Sequence, residues 1–146
     1  MITAPFNQKI YDESDSPAKD AVRRYLRKRK AIIEEHPHGK YGVDLFVIYK
    51  NGRKVFLEVE RRWVWKEGRF PYETIHIPLR KKKFCGLEHP TYFLSFRKDL
   101  RAMIVIPSEA LKKKFILEVP NRRVSHGEEF YNIPLKYTKF VNLENI

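Results

Sequence analysis

The chain has 146 residues, 42% of them apolar and 14% aromatic, enough for one packed core and too many for a disordered basic tail. No stretch approaches the roughly 18 consecutive apolar residues of a membrane span, the N-terminal MITAPFNQKIYDESD lacks a signal peptide's apolar core, and a lone Cys85 excludes an internal disulfide. Thirty Lys and Arg against 18 Asp and Glu leave a formal +12, a field that attracts nucleic acid more often than any other partner of so small a domain.

Residues 1–16 are polar, with Asp12, Glu13 and Asp15, and read as a loose arm. Ser16-Pro17 is a helix-start signal, Ser16 as N-cap and Pro17 at the first helical position. Val22, Tyr25, Leu26, Ile32 and Ile33 recur at helical spacing, predicting one amphipathic helix over 17–35 that ends before Pro37 and Gly39. Its outer face carries Arg24 and Lys28, either a solvated surface or contacts to a phosphate backbone. Next come YGVDLFVIY, Asn51-Gly52 and RKVFLEVE, two β-branched and aromatic runs around a turn, the clearest hairpin in the chain. Gly68, Pro71 and Pro78 interrupt residues 64–83, which read as a packed loop or short strand ending in the basic run Arg80, Lys81, Lys82 and Lys83. Strands follow at 91–97 and 101–107, then a short helix from Ser108 to Lys114, a strand end at 116–119 and a mixed C-terminal extension. One domain over 1–146 is expected, with 107–146 packed on its core.

The acids of the hairpin carry the chemistry. Glu58 and Glu60 are separated by one residue in an apolar strand, so their side chains share a face, roughly 7 Å apart. Two such carboxylates resist burial unless something cationic compensates: a neighbouring arginine, or better a divalent metal. Asp44 lies in the partner strand, and the turn decides where it points. A two-residue loop pairs Lys50 with Arg53 and sends Asp44 to the far face. A three-residue loop, with Gly52 as the left-handed bulge, pairs Tyr49 with Arg53 and sets Asp44 opposite Glu58, roughly 5 Å away. Three acids on one face are hard oxygen ligands for Mg²⁺ or Mn²⁺, and the Val59 carbonyl between the glutamates is a further candidate ligand.

The order of a helix bearing acids, Gly42-Val43-Asp44-Leu45, a hairpin and Leu57-Glu58-Val59-Glu60 resembles the PD-(D/E)XK nuclease superfamily, which includes restriction endonucleases and archaeal Holliday-junction resolvases. The resemblance covers roughly residues 20–106. It implies an α/β fold with a restriction-endonuclease-like αβββαβ core, a central mixed β-sheet flanked by helices. It also implies Mg²⁺-dependent phosphodiester hydrolysis, DNA as substrate, and a homodimer where two strands must be cut. Asp44 matches the family's first acid and Glu58 its second. Glu60 falls where the family usually has lysine, and Gly42-Val43 replaces its Pro. Glu34 or Glu35 matches an extra helix glutamate that some members add to the metal site. The missing lysine needs a substitute. Lys54 lies four residues from Glu58, too far along the strand, whereas Arg62 has the right parity and Arg80 to Lys83 can reach in from the next segment.

Other features read more plainly. Trp63 and Trp65 have the opposite parity to the glutamates, which predicts core packing rather than base stacking. His36 and His38 have no nearby cysteines and make a poor zinc site. Cys85 lacks the context of a nucleophile. The expectation is a cytoplasmic, metal-dependent DNA endonuclease. Its site is Asp44, Glu58 and Glu60, with Arg24, Lys28, Arg62 and Arg80–Lys83 holding phosphates. The rivals are a nuclease-like module that binds nucleic acid without cutting it, and a basic nucleoprotein scaffold whose acids form internal salt bridges.

Overall fold

The structure is a computed structural model. It describes residues 8–35, 43–121 and 124–143, with side chains described at 17–34, 43–117 and 129–143. His36 and His38 lie outside those residues.

Helix α1 spans Gln8–Arg27, so the expected arm is helical from residue 8 and Pro17 sits inside the helix rather than at its first turn. Nor does the helix run on to 35. Lys30 takes φ 58°, the Lys30 amide donates to the Arg27 carbonyl at 3.0 Å and the Ala31 amide to the Leu26 carbonyl at 3.2 Å. These paired bonds are a Schellman motif, built here on a lysine where glycine is usual. Beyond it, the β-branched Ile32 and Ile33 enter strand β1, Ile32–Glu35.

Strand β2, Leu45–Ile48, and β3, Lys54–Arg62, form the expected hairpin. The Tyr49 amide donates to the Arg53 carbonyl, the Gly52 amide to the Tyr49 carbonyl, both at 2.8 Å, and Gly52 has φ +88°. This is the three-residue bulged loop. The pairs Leu45–Leu57 through Ile48–Lys54 follow from it.

After β3 the chain builds β4, Thr74–Pro78, and a 3-10 helix, Leu79–Phe84, where a flanking α-helix was implied. It then returns as β5, Thr91–Arg97, parallel to β3, and β6, Ala102–Pro107, antiparallel to β5. Two 3-10 turns, Ser108–Ala110 and Lys113–Phe115, replace the single short helix expected there. Strands β7, Ile116–Asn121, β8, Val124–Pro134, and β9, Lys139–Asn142, complete the chain. The result is a mixed six-stranded sheet, β1-β2-β3-β5-β6-β9, and a three-stranded sheet, β4-β8-β7.

Strand alternation assigns the faces. Val55, Leu57, Val59, Leu94, Phe96 and Met103 bury one face of the large sheet beneath Ala18, Val22 and Leu26 of α1. Phe56, Phe93, Ile104 and Ile106 bury the other against Ile75, Ile77, Tyr131 and Ile133 of the small sheet. The layers are thus helix, large sheet, small sheet, each closing an apolar face the next cannot leave in water. Trp65 is fully buried, as expected, its indole N–H donating to the Gly68 carbonyl at 2.9 Å, but it lies beyond the end of β3 and packs with Phe56, Ile75 and Ile77 on the glutamates' side rather than on the face its parity implied. Trp63 is not core. It lies 45% exposed in the turn after β3, with the Arg61 guanidinium 4.6 Å from its ring.

Candidate active site

Beyond Leu45 and Leu57 the two hairpin strands part, and the acids stand at the fork. The paired register ends at Leu45 and Leu57; Glu58 faces Ile77, Pro78 and Lys81 on the small-sheet side, whereas Asp44 reaches toward Lys19 on α1. The Asp44 amide donates to Glu58 Oε2 and the Val59 amide to Asp44 Oδ2, each at 2.8 Å. Each carboxylate therefore replaces a ladder partner the other strand has lost, one reason acids sit in so apolar a hairpin. That uses one oxygen of each. The second oxygens face cations: Asp44 Oδ1 lies 3.4 Å from Lys19 Nζ on α1, and Glu58 Oε1 lies 2.6 Å from Lys81 Nζ on the 3-10 helix after β4.

Glu58 is buried and Asp44 is not. Burial pushes the Glu58 carboxyl above the usual carboxylate range, and the Asp44 charge adds to that. Lys81 and the Asp44 amide pull it back only in part. A small pocket opens on this side, lined by Glu58, Glu60, Ile77, Pro78, Lys81 and Phe93.

Glu60 shares the face but has other partners. Its Oε1 is 2.5 Å from Arg62 Nη2 and accepts from the Ser95 hydroxyl at 3.0 Å, and Arg62 also donates to the His76 carbonyl at 2.6 Å. The parallel pairing of Glu60 with Ser95 brings that hydroxyl within reach. Among the described residues, no three His, Cys, Asp or Glu side chains come together as a metal cluster. Asp44 and Glu58 converge; Glu60 is held beside them by Arg62 and Ser95.

The glutamates assigned to a helix are elsewhere. Glu34 and Glu35 lie on β1, paired with Phe46 and Leu45, and Glu34 is exposed. The side chain that α1 sends to Asp44 is instead Lys19, which no local sequence signal marks, because its reach depends on how the helix lies over the fork. Ser95 went unnoticed for the same reason, a parallel register set by strands far apart in sequence. Of the basic run, Arg80, Lys82 and Lys83 are exposed and Lys81 turns inward. Arg24 is exposed on α1 and Lys28 in the turn that follows it. Cys85 is a free, half-buried thiol pushed up in pKa by burial. Among the described residues no helix is long and apolar enough to cross a membrane.

No protein-family model matches the chain, and no curated protein does. Among solved structures, the bacterial homing endonuclease I-Ssp6803I is similar over 79% of this chain and 69% of its own, with a TM-score of 0.47 and 14% identity.

Proposed function

We propose that the chain is a metal-dependent DNA endonuclease whose working centre is the pair Asp44 and Glu58, with Lys81 supplying the cation that the strand itself lacks. The observation that carries this reading is the fork: two carboxylates brought together by the Asp44 amide donating to Glu58, one of them buried, with an ammonium 2.6 Å from the buried one. Mg²⁺ is commonly held by only one or two carboxylates together with substrate phosphate, so this donor set fits it without a third acid. Asp44 Oδ1 and Glu58 Oε1 are the oxygens that would turn to it, exchanging an ammonium for a divalent ion. When bound, such an ion supplies Lewis acidity toward a phosphodiester and lowers the pKa of water.

The chain's own residues do the rest. Lys81 stands at the pocket mouth on Glu58, where it can neutralise an incoming phosphate oxygen or hold water against it. Glu60, tied to Arg62 and Ser95, orients that arginine toward the phosphate rather than serving as a ligand. Arg80, Lys82 and Lys83 extend the positive surface beyond Lys81 and suit backbone contact. The +12 charge makes association salt-dependent.

Plasmid, branched and single-stranded DNA incubated with Mg²⁺ or Mn²⁺ provides the test. Asp44→Asn should lower metal-dependent cutting about a hundredfold or more, at least the loss that follows removal of groups that only orient metal ligands. Lys81→Met should lower cutting while DNA binding persists. A second reading has its own observation: Lys19, Lys81 and Arg62 each face one of the three acids. A module that holds nucleic acid without cutting would show that pattern, and it would bind DNA equally well with Asp44→Asn and cleave with neither protein.

A further inference from the structure

The opposite face of the large sheet carries a second cleft that the carboxylate centre does not use. Helix α1 packs on that face chiefly over β3, and its Tyr25 and Leu26 border an opening toward β6 and β9. Beside it lies a hollow of about 250 Å³ with an apolar floor of Val55, Leu57, Leu94, Met103 and Val105. Tyr25, Tyr49 and Tyr92 wall it, all half-buried, and Lys139 stands at its far edge. The Arg53 Nη2 donates to the Tyr92 hydroxyl at 2.5 Å, and the Arg29 guanidinium lies 4.1 Å from the centre of the Tyr25 ring. Through Tyr49 and Arg53 the hollow runs into a second opening of about 330 Å³, lined further by Arg29, Lys50 and Asn51. Among the described residues no carboxylate lines either part.

Those two halves want different things. The inner one offers apolar contact and three aromatic rings, with volume below the roughly 300–1,000 Å³ of a drug-sized pocket. It suits one planar ring system. The outer half offers three exposed cations and an amide, and suits a phosphate. Burial pushes the Tyr49 phenol's pKa up, with Tyr25 and Tyr92 adding to this and Arg53 and Arg29 opposing, so its hydroxyl stays a donor at neutral pH. We propose that this cleft binds one nucleotide of a single-stranded nucleic acid, its base in the tyrosine-walled hollow and its phosphate on Arg29, Lys50 and Arg53. Aromatic platforms beside a basic track are the usual way single strands are held without reading sequence. A duplex cannot enter, because its bases are stacked inside. Three exposed cations, Arg29, Lys50 and Arg53, line the outer opening, more than a single phosphate needs, which favours a strand over a free nucleotide.

The proposal is independent of the nuclease reading, since Val55 and Leu57 line this cleft and Glu58 points the other way. Hexathymidylate binding to the full chain, in chelator to prevent cutting, is the measurement. Arg53→Ala and Tyr92→Ala should each weaken binding about tenfold, and Arg53→Ala should lower the log-affinity salt slope by about 0.7. Lys50→Glu, on the exposed turn, gives the same test where folding is not at risk. Asp44→Asn should leave it intact, whatever happens to cleavage. Unchanged affinity in Arg53→Ala and Lys50→Glu overturns the assignment. So does competition by thymidine monophosphate, or by a duplex of the same length, as effective as the hexamer's own.

Discussion

Glu58 and Glu60 stand two residues apart on one face of one strand, yet they live differently. Glu58 is 6% exposed, with one oxygen accepting the Asp44 amide and the other on Lys81. Glu60 has a side chain 42% exposed, and its oxygen is shared by Arg62 and Ser95. The difference lies in what covers each position. The 3-10 helix after β4 closes over Glu58, whereas the sheet is already opening to solvent where Glu60 sits. A two-residue period fixes the face a side chain points to. It does not fix the dielectric above it, and that decides which acid has its chemistry altered.

The sharpest way to break this comparison is to remove each acid's cation. Lys81→Met leaves Glu58 buried beside Asp44 with no opposing charge, which should cost about 3 kcal/mol in denaturant unfolding. A cost no larger than that of an ordinary surface pair would show that Glu58 is solvated in solution. The pH dependence carries the same contrast. In the folded chain Glu58 keeps its proton to a higher pH than in the unfolded chain. Between the ordinary carboxylate value and the raised one, the unfolded chain therefore releases a proton that the folded chain retains, and stability falls as pH rises. Glu58→Gln has no such proton. The wild-type melting temperature minus the variant's should fall through that window and level off above it, and a flat difference would place Glu58 in the usual range. Arg62→Met removes a pair that water partly screens, together with one bond to the His76 carbonyl. About 1 kcal/mol is expected there.

How far these differences could be read beforehand depends on how local their causes are. The hairpin offered two registers, and the glycine at 52 made the bulged one possible; that register brings the Asp44 segment to Glu58 and Val59. Strands 91–97 and 101–107 showed through their own β-branched and aromatic runs. Of the small sheet only β7 showed, as the strand end at 116–119; β4 finds β8 across more than fifty residues of chain, and nothing inside Thr74–Pro78 names that partner. Lys81 was one of four basic residues, and only the 3-10 helix's placement over β3 selects it. The helix over-run to residue 35 has a different cause. Ile32 and Ile33 continued the apolar spacing of α1, and the residue that ends the helix carries no stop signal.

That residue supplies the smallest effect and a control. Lys30 holds a left-handed conformation in which its Cβ crowds the backbone, while glycine has none to crowd. Lys30→Gly should therefore stabilise the chain by about 0.5–1 kcal/mol, less the backbone entropy that glycine brings to the unfolded state. For a chain of this length that is about 1–4 °C in Tm. The substitution touches neither Glu58 nor Lys81, so the Glu58 pH window should stay where it is while the whole stability curve rises. If the window moves with it, the end of α1 and the fork are coupled through Lys19, and the burial of Glu58 depends on the helix as well as on the segment that carries Lys81.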